Sequence, residues 1–159
     1  MELTWKKNIF VSKYELYSGT EEVGMLKESV FGDKARGELY GRELKFKKKG
    51  FLNSTAEIID VALDRVVGTI QFNGWGHKAQ VALGNRELHW KYGNFWNSRW
   101  SISENGEELG QYKSALSKGN IQAQTDDGLT LLVGLFIHNH FTRIALVVAT
   151  VSVIIISSS

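Results

Sequence analysis

The sequence predicts an all-β domain of about twelve antiparallel strands, closed into a barrel around one apolar C-terminal helix. Three observations carry that expectation. Apolar and polar residues alternate with period two through residue 125, one hairpin unit recurs three times, and after Asp127 the pattern changes abruptly to a nearly uncharged stretch.

The alternation defines the strands. Leu44 and Phe46 share one face while Lys45, Lys47 and Lys49 share the other, and Val81 with Leu83 and Leu88 with Trp90 and Tyr92 behave alike. Such runs recur at roughly ten-residue spacing, as expected of a barrel or sandwich. The chain of 159 residues has 16 glycines and no proline, so turns abound and no linker composition divides it. One domain is expected.

The repeated unit is a strand, an acidic turn and a strand of the form apolar-Gly-x-apolar. It reads Tyr14–Tyr17 into Val23-Gly24-Met25-Leu26, Ala56–Asp60 into Val67-Gly68-Thr69-Ile70, and Trp100–Ser103 into Leu109-Gly110-Gln111-Tyr112. Glycine inside a strand lets a neighbouring strand or ring approach closely. Three such hairpins, about 43 residues apart, predict a meandering sheet.

After Asp127 only Arg143 is charged, and Leu131–Ile137 is apolar on every side, which suits a core or lipid. Thr125, Asp126 and Asp127 supply a cap and negative charge at the helix start. The run Ile144–Ile156 would extend only ~20 Å as a helix, short of a hydrocarbon core of ~30 Å. A single span through 129–156 would place His138, Asn139, His140 and Arg143 mid-membrane, with no partner for the arginine evident in sequence. The chain is therefore divided into a barrel, 1–142, whose helix 129–142 is buried by protein, and an apolar extension, 143–159. The extension either packs in the barrel mouth or dips into a membrane, with Ile144, Leu146, Val147, Val151, Ile154 and Ile155 as its contacts.

Composition excludes several functions. There is no cysteine, so disulfides and thiolate chemistry are absent. A net charge of +2 is no nucleic-acid footprint. The charged, alternating start Met1–Lys7 is unlike a secretory leader, which predicts cytoplasmic residence. No nucleophile, base or metal set converges, so the expectation is a non-enzyme without metal or cofactor. His138-Asn139-His140 spells a nuclease-like triplet, yet residues two apart on a helix point to opposite sides and cannot share a metal. His77 and His89 read as structural, and the acidic pairs Glu21/Glu22, Glu107/Glu108 and Asp126/Asp127 as turn and cap residues.

Two constellations remain. Arg42, Lys45, Lys47, Lys48 and Lys49 form a basic strand whose alternate ammonium groups, ~6.6–6.8 Å apart, suit anionic lipid headgroups. The same lysines would also guard a solvated edge strand. Five tryptophans, at 5, 75, 90, 96 and 100, suit core packing, a membrane interface or base stacking. Alternation buries Trp90 with Tyr92 and leaves the remaining rings to close a turn.

The three Val/Leu-Gly units at Val23-Gly24, Val67-Gly68 and Leu109-Gly110, leading into the helix that begins Gly128-Leu129-Thr130-Leu131-Leu132, resemble the tubby C-terminal, phospholipid scramblase and LURP-one-related superfamily over residues 1–142. The resemblance implies a roughly twelve-stranded barrel around a central apolar helix, and lipid binding as a class property. The chain departs from the scramblases in lacking a proline-rich leader, a cysteine cluster and, beyond Asp126 and Asp127, the carboxylates of a calcium segment. The expected function is thus a membrane- or lipid-associated module that binds anionic phospholipid, with no nucleic-acid partner. A lipocalin-like carrier with a C-terminal anchor and a purely structural or partner-binding module are the alternatives.

Overall fold

Inward and outward side chains alternate along the strands, as the period-two pattern requires. A computed structural model describes residues 1–73, 75 and 77–158; Ser159, the last residue of the expected extension, lies outside the described residues. The strands are β1 (Glu2–Asn8), β2 (Lys13–Ser18), β3 (Glu21–Glu28), β4 (Lys34–Leu39), β5 (Arg42–Lys49), β6 (Thr55–Asp60), β7 (Arg65–Phe72), β8 (Lys78–Leu83), β9 (Arg86–Tyr92), β10 (Arg99–Glu104), β11 (Glu107–Ala115) and β12 (Lys118–Ala123), followed by the helix α1 (Gly128–Ser157). Each strand pairs antiparallel with its sequence neighbours, and β1 pairs with β12 to close the barrel. The predicted fold class is therefore the observed one.

The three hairpins share one irregularity. Leu16 faces Gly24 but Tyr17 faces Glu22; Ile58 faces Gly68 but Ile59 faces Val66; Ile102 faces Gly110 but Ser103 faces Glu108. In each, the apolar residue before the glycine is an extra one, and Val23, Val67 and Leu109 pack partly buried against the core. A bulge bends its strand and increases local twist, which helps a sheet close.

The lumen is filled by α1, whose residues Gly128–Phe141 are buried. The helix passes from one end of the barrel to the other. Phe136 stacks on Phe46 with centroids 4.1 Å apart. Wall side chains also bond the helix backbone: Trp90 Nε1 donates to the Gly134 carbonyl at 3.0 Å, and Tyr112 Oη donates to the Leu131 carbonyl at 3.0 Å. A Cβ on Gly134 would overlap the Tyr112 ring, so a glycine is needed there for space.

The helix entry is held by charge. Asp127 caps α1, accepting from the Leu129 amide at 3.2 Å and the Thr130 hydroxyl at 2.7 Å. Its carboxylate also meets Arg86 at 2.9 Å and Arg42 at 3.9 Å. These arginines occupy equivalent places in a motif, x-Glu-Leu-x-aromatic-Lys, that opens β1, β5 and β9 as Met1–Lys6, Arg42–Lys47 and Arg86–Lys91. The helix start is thus pinned by two of the barrel's three repeats.

Candidate membrane-facing site

The helix does not end where the barrel does. It runs unbroken to Ser157, and burial stops after Phe141. Beyond the barrel, Ile144, Leu146, Val147, Val151, Ile154 and Ile155 are all exposed, as are Val148, Val153 and Ile156. Every side of this stretch is apolar. Its hydroxyls do not need water: Thr150 Oγ1 donates to the Leu146 carbonyl and Ser152 Oγ to the Val148 carbonyl, each at 2.9 Å. Among the described residues α1 is the one helix long and apolar enough to cross a membrane.

Where α1 leaves the barrel, a polar cluster centred on the buried Glu28 ties the helix to the wall. The Glu28 carboxylate accepts from Lys48 Nζ at 2.5 Å, Asn139 Nδ2 at 2.7 Å and Arg143 at 3.0 Å. Arg143 also donates to the Val30 carbonyl at 3.0 Å. Asn139 Oδ1 in turn accepts from Lys7 Nζ at 3.0 Å and Tyr14 Oη at 3.2 Å. Burial holds both lysines below their ordinary pKa, partly offset by the nearby Glu28 charge. Gly32 adopts φ +71, and a side chain there would overlap the Arg143 guanidinium. The sequence offered no partner for Arg143; the structure supplies Glu28, from a strand more than a hundred residues away.

The basic strand divides. Lys45, Lys47 and Lys49 point outward and are exposed. Lys49 pairs with Glu57, and among the described residues Lys45 and Lys47 have no carboxylate partner. Lys48 corrects the expectation of a headgroup contact: alternation puts it on the inner face with Leu44 and Phe46, and Glu28 holds it there. Arg42 is also removed from the stripe, since it lies at the helix-entry end, paired with Asp60 and Asp127. Because β5 is hydrogen-bonded to both β4 and β6, edge protection does not explain its lysines.

The histidines of the helix face different walls. His138 stacks on Trp100 at 3.7 Å and bonds Tyr92 Oη at 3.0 Å, whereas His140 stacks on Phe72 at 3.7 Å. Burial pushes both imidazoles down to about 3. An unfolded histidine titrates near 6.5, so between that pH and about 3 the unfolded chain binds more protons and stability declines as the pH is lowered. Between pH 6.5 and 5, before most carboxylates titrate, the two histidines are expected to cost the fold about 3 kcal/mol together. Urea unfolding at these two pH values checks this, and the double variant His138→Phe/His140→Phe should lose the dependence.

The tryptophans also split. Trp5, Trp90 and Trp100 are core residues, while Trp75 and Trp96 stand bare on loops at the helix-exit end.

Together these features define a class: a closed twelve-stranded barrel threaded by its C-terminal helix, which continues as a bare apolar rod. No family model matches the chain, and no curated protein or solved structure matches it.

Proposed function

We propose that this protein is a non-enzymatic, membrane-associated barrel of the tubby-like kind, held at a cytosolic membrane face by insertion of Ile144–Ile156. The carrying observation is the helix surface itself. Exposed apolar patches beyond a few hundred Å² mark interaction sites, and a helix apolar all round belongs in lipid once it leaves a protein core. Intrahelical bonds of its Thr and Ser hydroxyls suit a solvent that offers no hydrogen bonds. Lys45, Lys47 and Lys49 present the cations that anionic headgroups would meet. A lipocalin-like carrier is disfavoured because α1 occupies the lumen its ligand would need.

Flotation with liposomes tests the insertion. The full chain is expected in the lipid fraction, and the full-length variant Val147→Lys/Val151→Lys is expected to lose at least about a hundredfold in partitioning. Each buried lysine costs roughly 2.5–3.5 kcal/mol at the centre of a membrane helix, less where it reaches the interface. Both positions are exposed, so the barrel should keep its unfolding midpoint. Equal partitioning of the two proteins would refute the proposal.

A further inference from the structure

The end of the barrel from which α1 emerges differs from the other end in two independent ways. First, the six connections at that end each carry a large apolar side chain with little cover. These include Phe10 between β1 and β2, Phe31 between β3 and β4, Leu52 between β5 and β6, Trp75 between β7 and β8, Trp96 between β9 and β10, and Leu116 between β11 and β12. Phe10 is 93% exposed and Trp75 86%. They form a crown around the emerging helix, with Phe10 and Val30 lining a groove against Leu146 and Val147 on one side. On the other side Leu52, Trp75, Trp96 and Leu116 line a groove against Ile144 and Val148. At the opposite end the turns are mainly polar, such as Gly19-Thr20, Gly84-Asn85 and Asn105-Gly106, with Tyr40 and Leu63 as half-exposed exceptions.

Second, charge is segregated along the barrel axis. All lysines and arginines except Arg42, Lys45, Arg65 and Arg86 lie in the half nearer the helix exit, whereas of the acids only Glu15, Glu28, Asp33 and Glu57 do. The small net charge conceals this. On neighbouring strands of that half like charges stand directly opposite one another, as Lys34 with Lys47, Lys13 with Lys27, Lys78 with Lys91, Lys6 with Lys118 and Arg99 with Lys113. Such pairs destabilise a sheet in water. A basic girdle below an apolar crown matches the order of charge and hydrocarbon across one leaflet of an anionic membrane.

We infer that the crown and girdle are a seat for an anionic bilayer leaflet: the loop side chains enter the interfacial layer and the lysines and arginines meet the headgroups. This rests on the reading of Ile144–Ile156 as a membrane insert and adds the orientation of the barrel and the loop side chains that enter the leaflet. The length of the helix supports it. The apolar run between Arg143 and Ser157 is roughly 20 Å long, so a barrel held away from the surface would withdraw helical turns from a ~30 Å hydrocarbon core. Seated on its crown, the barrel delivers the whole run. A second copy of the chain is a poorer occupant, because crown-to-crown contact would bring two basic girdles together.

The test uses the full chain and vesicles of phosphatidylcholine alone or with about a third phosphatidylserine. Binding is expected to be at least tenfold tighter to the anionic vesicles, and bromine-labelled phospholipid should quench fluorescence that is lost in the variant Trp75→Phe/Trp96→Phe. The crown variant Phe10→Ser/Phe31→Ser/Trp96→Ser should reduce the anionic preference and the quenching while leaving the unfolding midpoint in place. Equal binding to both vesicle types with no quenching of Trp75 or Trp96 overturns the seat and leaves the helix insert standing. Absence of binding to either vesicle overturns both. Concentration-dependent dimerisation abolished by the crown variant, with vesicle binding unchanged, overturns the seat in favour of self-association.

Discussion

Leu131→Asp is expected to abolish the folded barrel at room temperature. Leu131 is fully buried in the part of α1 that fills the lumen, and its carbonyl is bonded by Tyr112. Truncation to alanine alone would cost about 2–5 kcal/mol through lost contacts and the cavity left behind. A carboxylate adds the penalty of an unpaired charge in an apolar interior, several kcal/mol more even after it takes up a proton. Domains of this size carry roughly 5–15 kcal/mol in total, so the variant should lose its near-ultraviolet dichroism and its cooperative unfolding transition. Leu146→Asp makes a control, since Leu146 lies outside the barrel and is exposed. It should unfold like the parent. A stable Leu131→Asp barrel would show that the helix is dispensable to the wall and would revive a hollow carrier.

The second large effect is expected at Glu28. This carboxylate is almost completely buried and is the anion for both Lys48 and Arg143. Glu28→Gln keeps the shape and removes the charge, leaving the Lys48 ammonium buried without a counter-ion, a loss of about 3–5 kcal/mol. Adding Lys48→Met should recover much of that loss, because two buried charges are then replaced by neutral groups of similar size. Urea unfolding of the parent, both single variants and the double variant closes the cycle. Independent, additive effects would mean that the pair does not act as a unit. The same substitution bears on the helix-exit end, since Arg143 would lose its tie to β3 at the point where α1 emerges.

Much of the architecture is legible in the residues. Period-two alternation at Leu44, Lys45, Phe46 and Lys47 specifies which side chains face the core, and the same rule already places Lys48 inside, although its charge argues for the surface. The three Val/Leu-Gly units mark real hairpins, and the structure shows their common bulge. The motif x-Glu-Leu-x-aromatic-Lys was also there to be read at Met1, Arg42 and Arg86. Aligning acidic turns does not reveal it, because it starts on the strand that follows a different turn. Five tryptophans looked alike in composition, but Trp75 and Trp96 fall in connections, where no alternation applies.

What the sequence by itself determined is local: strand spacing, turn positions, the capped start of α1 and the apolar character of its two halves. Those follow from backbone geometry and the affinity of each side chain for water. The tertiary structure decided what is non-local. It brought Glu28 to Arg143, made β5 an interior member of a closed sheet, and gathered six connections and most of the positive charge at the end where the helix leaves. An antiparallel meander sends alternate connections to the same end, so residues scattered evenly along the chain collect at one rim once the barrel closes.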